Sequence, residues 1–185
     1  MVELLLAGGT VTTSSLVSQA LVWLYQHPDV RTTLTEHPDK RERAIEEFLR
    51  YFSPTQALAR TVMADAEFHG CLLRKGDRAL LTWGSANRDE AGGFEDPDEV
   101  DIDRWPNRHI AFGVCIHRCV GSHIARAMAH EMLSQILERM PNYVVDTENM
   151  RPFLNQGANV GYSSIPVTFI PGPRLLSEDA ATGAS

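Results

Sequence analysis

The chain has 185 residues, 43% of them apolar and 22% charged, with 17 Lys and Arg against 24 Asp and Glu for a formal net charge of −7. That length fits one domain with its own core, and the acidic balance makes a poor general ligand for nucleic acid or an anionic membrane, although a local basic patch could still serve an acidic protein partner. No stretch approaches the roughly 20 apolar residues that span a bilayer, the opening Met1 to Leu6 has no basic leader segment, and three cysteines (Cys71, Cys115, Cys119) make no disulfide framework, so a reducing, cytoplasmic setting is expected.

Val2 to Gln26 reads as one helix ended by His27-Pro28. Within it, Gly8-Gly9-Thr10-Val11-Thr12-Thr13 is poor helix material. Either something packs close to that backbone or the hydroxyls are used. Pro28 to His37 is a short helix, and Asp39 to Phe52 is another, ended by Ser53-Pro54. Leu58 to Gly70 and Cys71 to Leu81 predict two or three short strands around a turn at Lys75-Gly76-Asp77. Trp83 to Asn87 is a helical turn, and Arg88 to Pro106 an acidic meander rich in Pro, Gly and Asp. Arg108 to Val120 is a loop carrying Gly113. Gly121 to Met140 predicts a strongly periodic amphipathic helix. Tyr143 to Pro171 reads as short strands and turns, and the small, polar residues 176–185 as a disordered tail.

Cys119 sits just before the last long helix. The free N–H groups and positive end of a helix stabilise an anion there, which favours thiolate. Gly113 and Gly121 let the backbone approach whatever the sulfur binds. His109, His117 and Arg118 add groups suited to carboxylates. A thiolate among carboxylate-binding groups suits haem, which brings one iron and two propionates.

The string Phe112-Gly113-Val114-Cys115-Ile116-His117-Arg118-Cys119-Val120-Gly121 resembles the haem loop of the cytochrome P-450 family, Phe-Gly-x-Gly-x-His/Arg-x-Cys-x-Gly. Glu47-Phe48-Leu49-Arg50 is similar to the family Glu-x-x-Arg helix, and Arg104 to the second arginine of that structural network. Ala86-Asn87-Arg88-Asp89 resembles the strip entering the meander, and Arg60 a position that holds a propionate. Gly8-Gly9-Thr10-Val11-Thr12-Thr13 is similar to the oxygen-binding helix pattern Ala/Gly-Gly-x-Asp/Glu-Thr-Thr/Ser. The resemblance runs from about Leu4 to Phe169.

The resemblance implies an α+β, mainly α fold corresponding to the C-terminal half of the cytochrome P-450 fold, over residues 1–175. It implies haem b held by Cys119 as the iron ligand, with Phe112, Gly113 and Gly121 shaping the loop. Arg60, His109 and His117 would contact propionates. Gly8, Gly9 and Thr12 would line the oxygen side, with Thr12 catalytic. The implied activity is a monooxygenase acting on a small organic substrate, with electrons from a ferredoxin or flavoprotein.

Two positions depart from the family. Cys115 stands where glycine is preferred, and positive φ there would cost roughly 1–2 kcal/mol. In the register that best fits the distance to His27-Pro28, Val11 stands at the acid position beside Thr12 and cannot carry a proton. One residue earlier, Thr10 would stand there and Val11 at the alcohol position. The carboxylate is missing in both, so oxygen activation is expected to be slow or leaky, or peroxide to be the oxidant. Family chains also carry an N-terminal half before the oxygen helix. The 185 residues alone are therefore expected to expose apolar surface, bind haem weakly and turn over little substrate, with that half as a possible partner. A haem-binding fragment or pseudoenzyme without catalysis is the alternative, and a zinc module of Cys115, Cys119, His109 and His117 a remote one.

Overall fold

The structure, a computed structural model, describes residues 2–153 and 158–171; the tail expected at 176–185 lies outside the described residues. The first helix, α1 (Val2–Gln26), is followed by α2 (Pro28–Glu36), which starts on a proline suited to a first helical turn. A short 3-10 turn at Pro38–Lys40 leads into α3 (Arg41–Phe52). That helix stops where Ser53 turns left-handed, with φ of 40°, ahead of Pro54. Trp83–Ala86 forms the one-turn α4, and Ser122–Arg139 forms α5.

The core lies between α1, α2, α3 and α5. From α1 come Leu16, Val17, Ala20 and Leu24; from α2, Leu34; from α3, Ala44, Ile45, Phe48 and Leu49; from α5, Ala129, Leu133 and Leu137. The i, i+4, i+8 spacing of the α5 residues puts them on one stripe. Each such large side chain, once buried, stabilises the fold by about 1.5–3 kcal/mol. Phe112 and Ala111 of the cysteine loop pack against the same cluster, which ties the site to the core.

The expected amphipathic helix differs in one respect. Ile124, Met128 and Met132 form a second apolar stripe on α5, and all three are exposed. Periodicity alone marks apolar stripes without telling which one a neighbour covers.

The region expected to hold two or three strands holds four: β1 (Leu58–Thr61), β2 (Ala66–Phe68), β3 (Cys71–Leu73) and β4 (Arg78–Leu81). β1 pairs antiparallel with β4, and β2 with β3. His69 and Gly70, with φ of 50° and 77°, make the tight turn joining β2 to β3. The expected turn at Lys75-Gly76-Asp77 is present, closed by Asp77 N–H on Arg74 O and Gly76 N–H on Val62 O. Toward the end, β5 (Val144–Val145) pairs with β8 (Val167–Thr168), and β6 (Arg151–Pro152) with β7 (Tyr162–Ser164).

Candidate functional site

The loop between the meander and α5 is held by its own backbone. Phe112 O accepts from Cys119 N–H at 2.8 Å, and Ile110 O from Gly113 N–H at 2.8 Å. A 3-10 turn at Cys115–His117 is closed by Arg118 N–H on Cys115 O at 3.1 Å. Gly113 has φ of 68° and Cys115 has φ of 57°. The positive φ expected to strain Cys115 is therefore present. Cys119 is exposed and lies three residues before the first residue of α5, whose N-cap is Gly121. A Cβ on Gly121 would stand 3.8 Å from the Cys119 sulfur, so glycine keeps that side of the thiol clear. Around it, Val114, Ile116, Val120 and Ile124 are 53%, 92%, 90% and 65% exposed.

Beneath the loop, Glu47 is the hub of a buried network. Its Oε1 accepts from Arg50 Nη2 at 2.7 Å, from Asp101 N–H at 2.9 Å and from Arg104 Nε at 3.2 Å. Its Oε2 accepts from Arg50 Nε at 2.8 Å and Asn107 Nδ2 at 2.9 Å. Arg50 spends its remaining donors on the carbonyls of Asn87, Pro97 and Glu99, so α3 pins the meander. Asn87 extends the network upward, accepting from Ile110 N–H at 2.8 Å at the start of the cysteine loop. The Glu47, Arg50 and Arg104 grouping expected from the sequence is thus brought together.

A second cluster was not anticipated. Glu46 accepts from Arg126 Nη2 at 2.8 Å and from His109 Nε2 at 3.0 Å. His109 Nδ1 accepts from Ala111 N–H at 3.2 Å, which leaves the ring proton on Nε2. The Arg126 guanidinium also lies 4.6 Å from the centre of the Phe112 ring. Burial alone would raise the Glu46 carboxyl, but the hydrogen bonds from Arg126 and His109, with the arginine charge, hold it down at about 2. The same bond raises Arg126.

Of the expected site residues, His109 and Phe112 belong to this second cluster. His109, expected beside a propionate, has a buried side chain whose Nε2 meets Glu46 and whose Nδ1 accepts from Ala111 N–H. This also removes it from the zinc alternative; among the described residues no group of three His, Cys, Asp or Glu is placed to hold a metal. Arg60 is exposed on β1, its guanidinium on the Ala59 carbonyl at 3.1 Å. His117 is exposed on the loop. On α1, the helix runs straight through Gly8 and Gly9, and a Cβ on either would meet nothing within 4 Å. The hydroxyls are used instead. Thr12 donates to Gly8 O at 2.7 Å and Ser14 to Thr10 O at 2.7 Å, the bonds back to the preceding turn that helical Thr and Ser make. Val11 is exposed.

The donor set fits an iron porphyrin. An exposed thiol at a helix start, two positive-φ residues that hold the loop open, and an apolar rim of Val114, Ile116 and Val120 suit a flat, largely apolar ligand carrying a metal. Among the described residues, no helix is long and apolar enough to cross a membrane.

A family model described as Cytochrome P-450 matches residues 41–168. The chain is 38% identical over 174 residues to a steroid C26-monooxygenase of Mycolicibacterium smegmatis, covering 94% of this chain and 43% of that protein. It is 40% identical over 168 residues to a biotin biosynthesis cytochrome P-450 of Bacillus subtilis, covering 90% of this chain and 42% of that one. The substrate-free structure of CYP109E1 from Bacillus megaterium superposes with a TM-score of 0.85 at 35% identity, over 91% of this chain and 44% of that one. The chain thus spans less than half the length of the relatives it matches.

Proposed function

The chain belongs to the cytochrome P-450 family, and from that membership we propose that it forms the haem-binding part of a monooxygenase, with Cys119 thiolate as the ligand to the iron of haem b. The observation that carries the reading is the Cys119 loop: an exposed thiol before α5, with the loop backbone fixed through the Phe112 carbonyl and the Asn87 side chain. When bound, haem supplies the activation of dioxygen and the insertion of one oxygen atom into an organic substrate.

The chain's own residues then have distinct tasks. Cys119 stands three residues ahead of α5, where its exposed sulfur can reach an iron. Arg60 and His117 are the groups available for the propionates, as donors to carboxylate. Gly8 and Gly9 leave open space beside α1, where a Cβ would meet nothing within 4 Å. Thr12 donates its proton to Gly8 O, so its oxygen is free to accept a hydrogen bond from water. Val11 offers no proton, so delivery on this side runs through hydroxyls and water alone. Substrate would be a small organic molecule, and electrons would come from a ferredoxin or flavoprotein.

A second reading, haem binding without catalysis, is favoured by Val11 at the acid position. The two separate on turnover. Haemin titration followed by visible absorbance tests the shared part, with saturation near one haem per chain expected. Peroxide leakage under oxygen-driven reduction in Val11→Asp and the parent then separates them. Reduced leakage in Val11→Asp supports the catalytic reading, and equal leakage opposes it.

A further inference from the structure

Resting on the reading of Cys119 as the ligand, we infer that Glu46 is a positioning residue for the cysteine loop, acting through Arg126 and His109 to set where Cys119 stands. The path is continuous. Glu46 on α3 binds Arg126 of α5 at 2.8 Å and His109 at 3.0 Å. His109 takes the Ala111 N–H, fixing the strand of the loop that enters the site. Arg126 lies over the Phe112 ring, and the Phe112 carbonyl takes the Cys119 N–H at 2.8 Å. Each link constrains the next, so the carboxylate of one helix fixes the backbone that carries the thiol.

This clamp is separate from the Glu47 network. Glu47 faces the meander through Arg50, Arg104, Asp101 and Asn107, while its chain neighbour Glu46 faces the loop. Adjacent carboxylates on one helix point about 100° apart, which lets α3 hold both segments at once. The fork of Arg126 meets both Glu46 oxygens, a geometry that fixes direction as well as distance. Lysine cannot reproduce it.

The test compares the full 185-residue chain with Glu46→Gln, Arg126→Ala and Arg126→Lys, and with Lys40→Ala as control, because Lys40 pairs with Asp103 away from the loop. The first readout is amide hydrogen exchange without haem. Residues 109–121 should exchange about tenfold faster in Glu46→Gln and Arg126→Ala, the effect of one lost charged hydrogen bond, while α3 and β1–β4 keep parental rates. The second is the carbon monoxide spectrum after haemin addition. The share of thiolate-type Soret band should fall in both variants, recover in part in Arg126→Lys, and stay parental in Lys40→Ala. Parental exchange at 109–121 in Glu46→Gln and Arg126→Ala would overturn the inference. Absence of a thiolate band in the parent would oppose the ligand reading instead, while the exchange rates would still decide the clamp.

Discussion

Glu47 and Arg50, one helical turn apart on α3, form a two-pronged pair at 2.7 and 2.8 Å with neither side chain exposed to solvent. A buried charge stripped of its partner is costly, because desolvation remains while the attraction is lost. Glu47→Gln and Arg50→Lys are each expected to destabilise the fold by about 3–5 kcal/mol in urea unfolding. The exposed pair of Lys40 and Asp103 supplies the contrast: Lys40→Ala should move stability by less than about 1 kcal/mol.

Cys115 holds φ of 57°, where a side chain crowds its own backbone. Cys115→Gly should relieve that strain and stabilise the fold by roughly 0.5–1 kcal/mol, the strain being offset in part by the freer unfolded chain. Gly113→Ala, at φ of 68°, should destabilise by a similar amount. Melting curves on the two variants check the pair of opposite signs.

Ser15 is buried and its hydroxyl has no hydrogen-bond partner. A Cβ on Gly161 would fall 2.5 Å from that hydroxyl and 3.0 Å from the Phe153 ring. Ser15→Ala should therefore be neutral or stabilising by about 1 kcal/mol. Gly161→Ala should destabilise, and the loss should shrink when combined with Ser15→Ala. A double-mutant cycle in urea measures that coupling.

Acid should weaken the Glu46 clamp in a defined window. The carboxyl is held at about 2 in the fold against an ordinary value of 4.5, so its charged form stabilises the fold above about 4.5. That contribution is lost as pH falls from there toward 2. The urea midpoint of the parent should drop across this range, and Glu46→Gln should drop less. Tyr143 has the opposite sign: burial, opposed by Arg31, pushes it up to about 12, so its contribution is full below 10 and is lost as pH rises toward 12.

Features carried by short strings were legible in the sequence. The cysteine loop and Glu-x-x-Arg helix are local patterns, and several helix boundaries sit at residues with their own backbone preference, namely Pro28, Ser53-Pro54 and Gly121. The Glu46, His109 and Arg126 clamp was not legible, because its members lie 63 and 80 residues from Glu46. Nothing local marks a lone Glu, His or Arg as a partner. Glu46 precedes the more conspicuous Glu47, and His109 carries the same chemistry whether it meets a propionate or a glutamate. The hairpin turn at His69-Gly70 is hard to read in sequence because His-Gly is not one of the usual Asn-Gly or Asp-Gly turn pairs. The exposed stripe of Ile124, Met128 and Met132 reads in sequence like a core stripe. Spacing sets the stripe, and only the fold decides what covers it.

The central claim is that Cys119, and not its neighbour Cys115, ligates haem iron. The direct measurement is the dithionite-reduced carbon monoxide difference spectrum of the haemin-loaded chain, its Cys119→Ser variant and its Cys115→Ser variant. A strongly red-shifted Soret band in the parent and in Cys115→Ser, absent from Cys119→Ser, is the predicted result. A band that survives in Cys119→Ser, or none in the folded, haem-loaded parent, would contradict it.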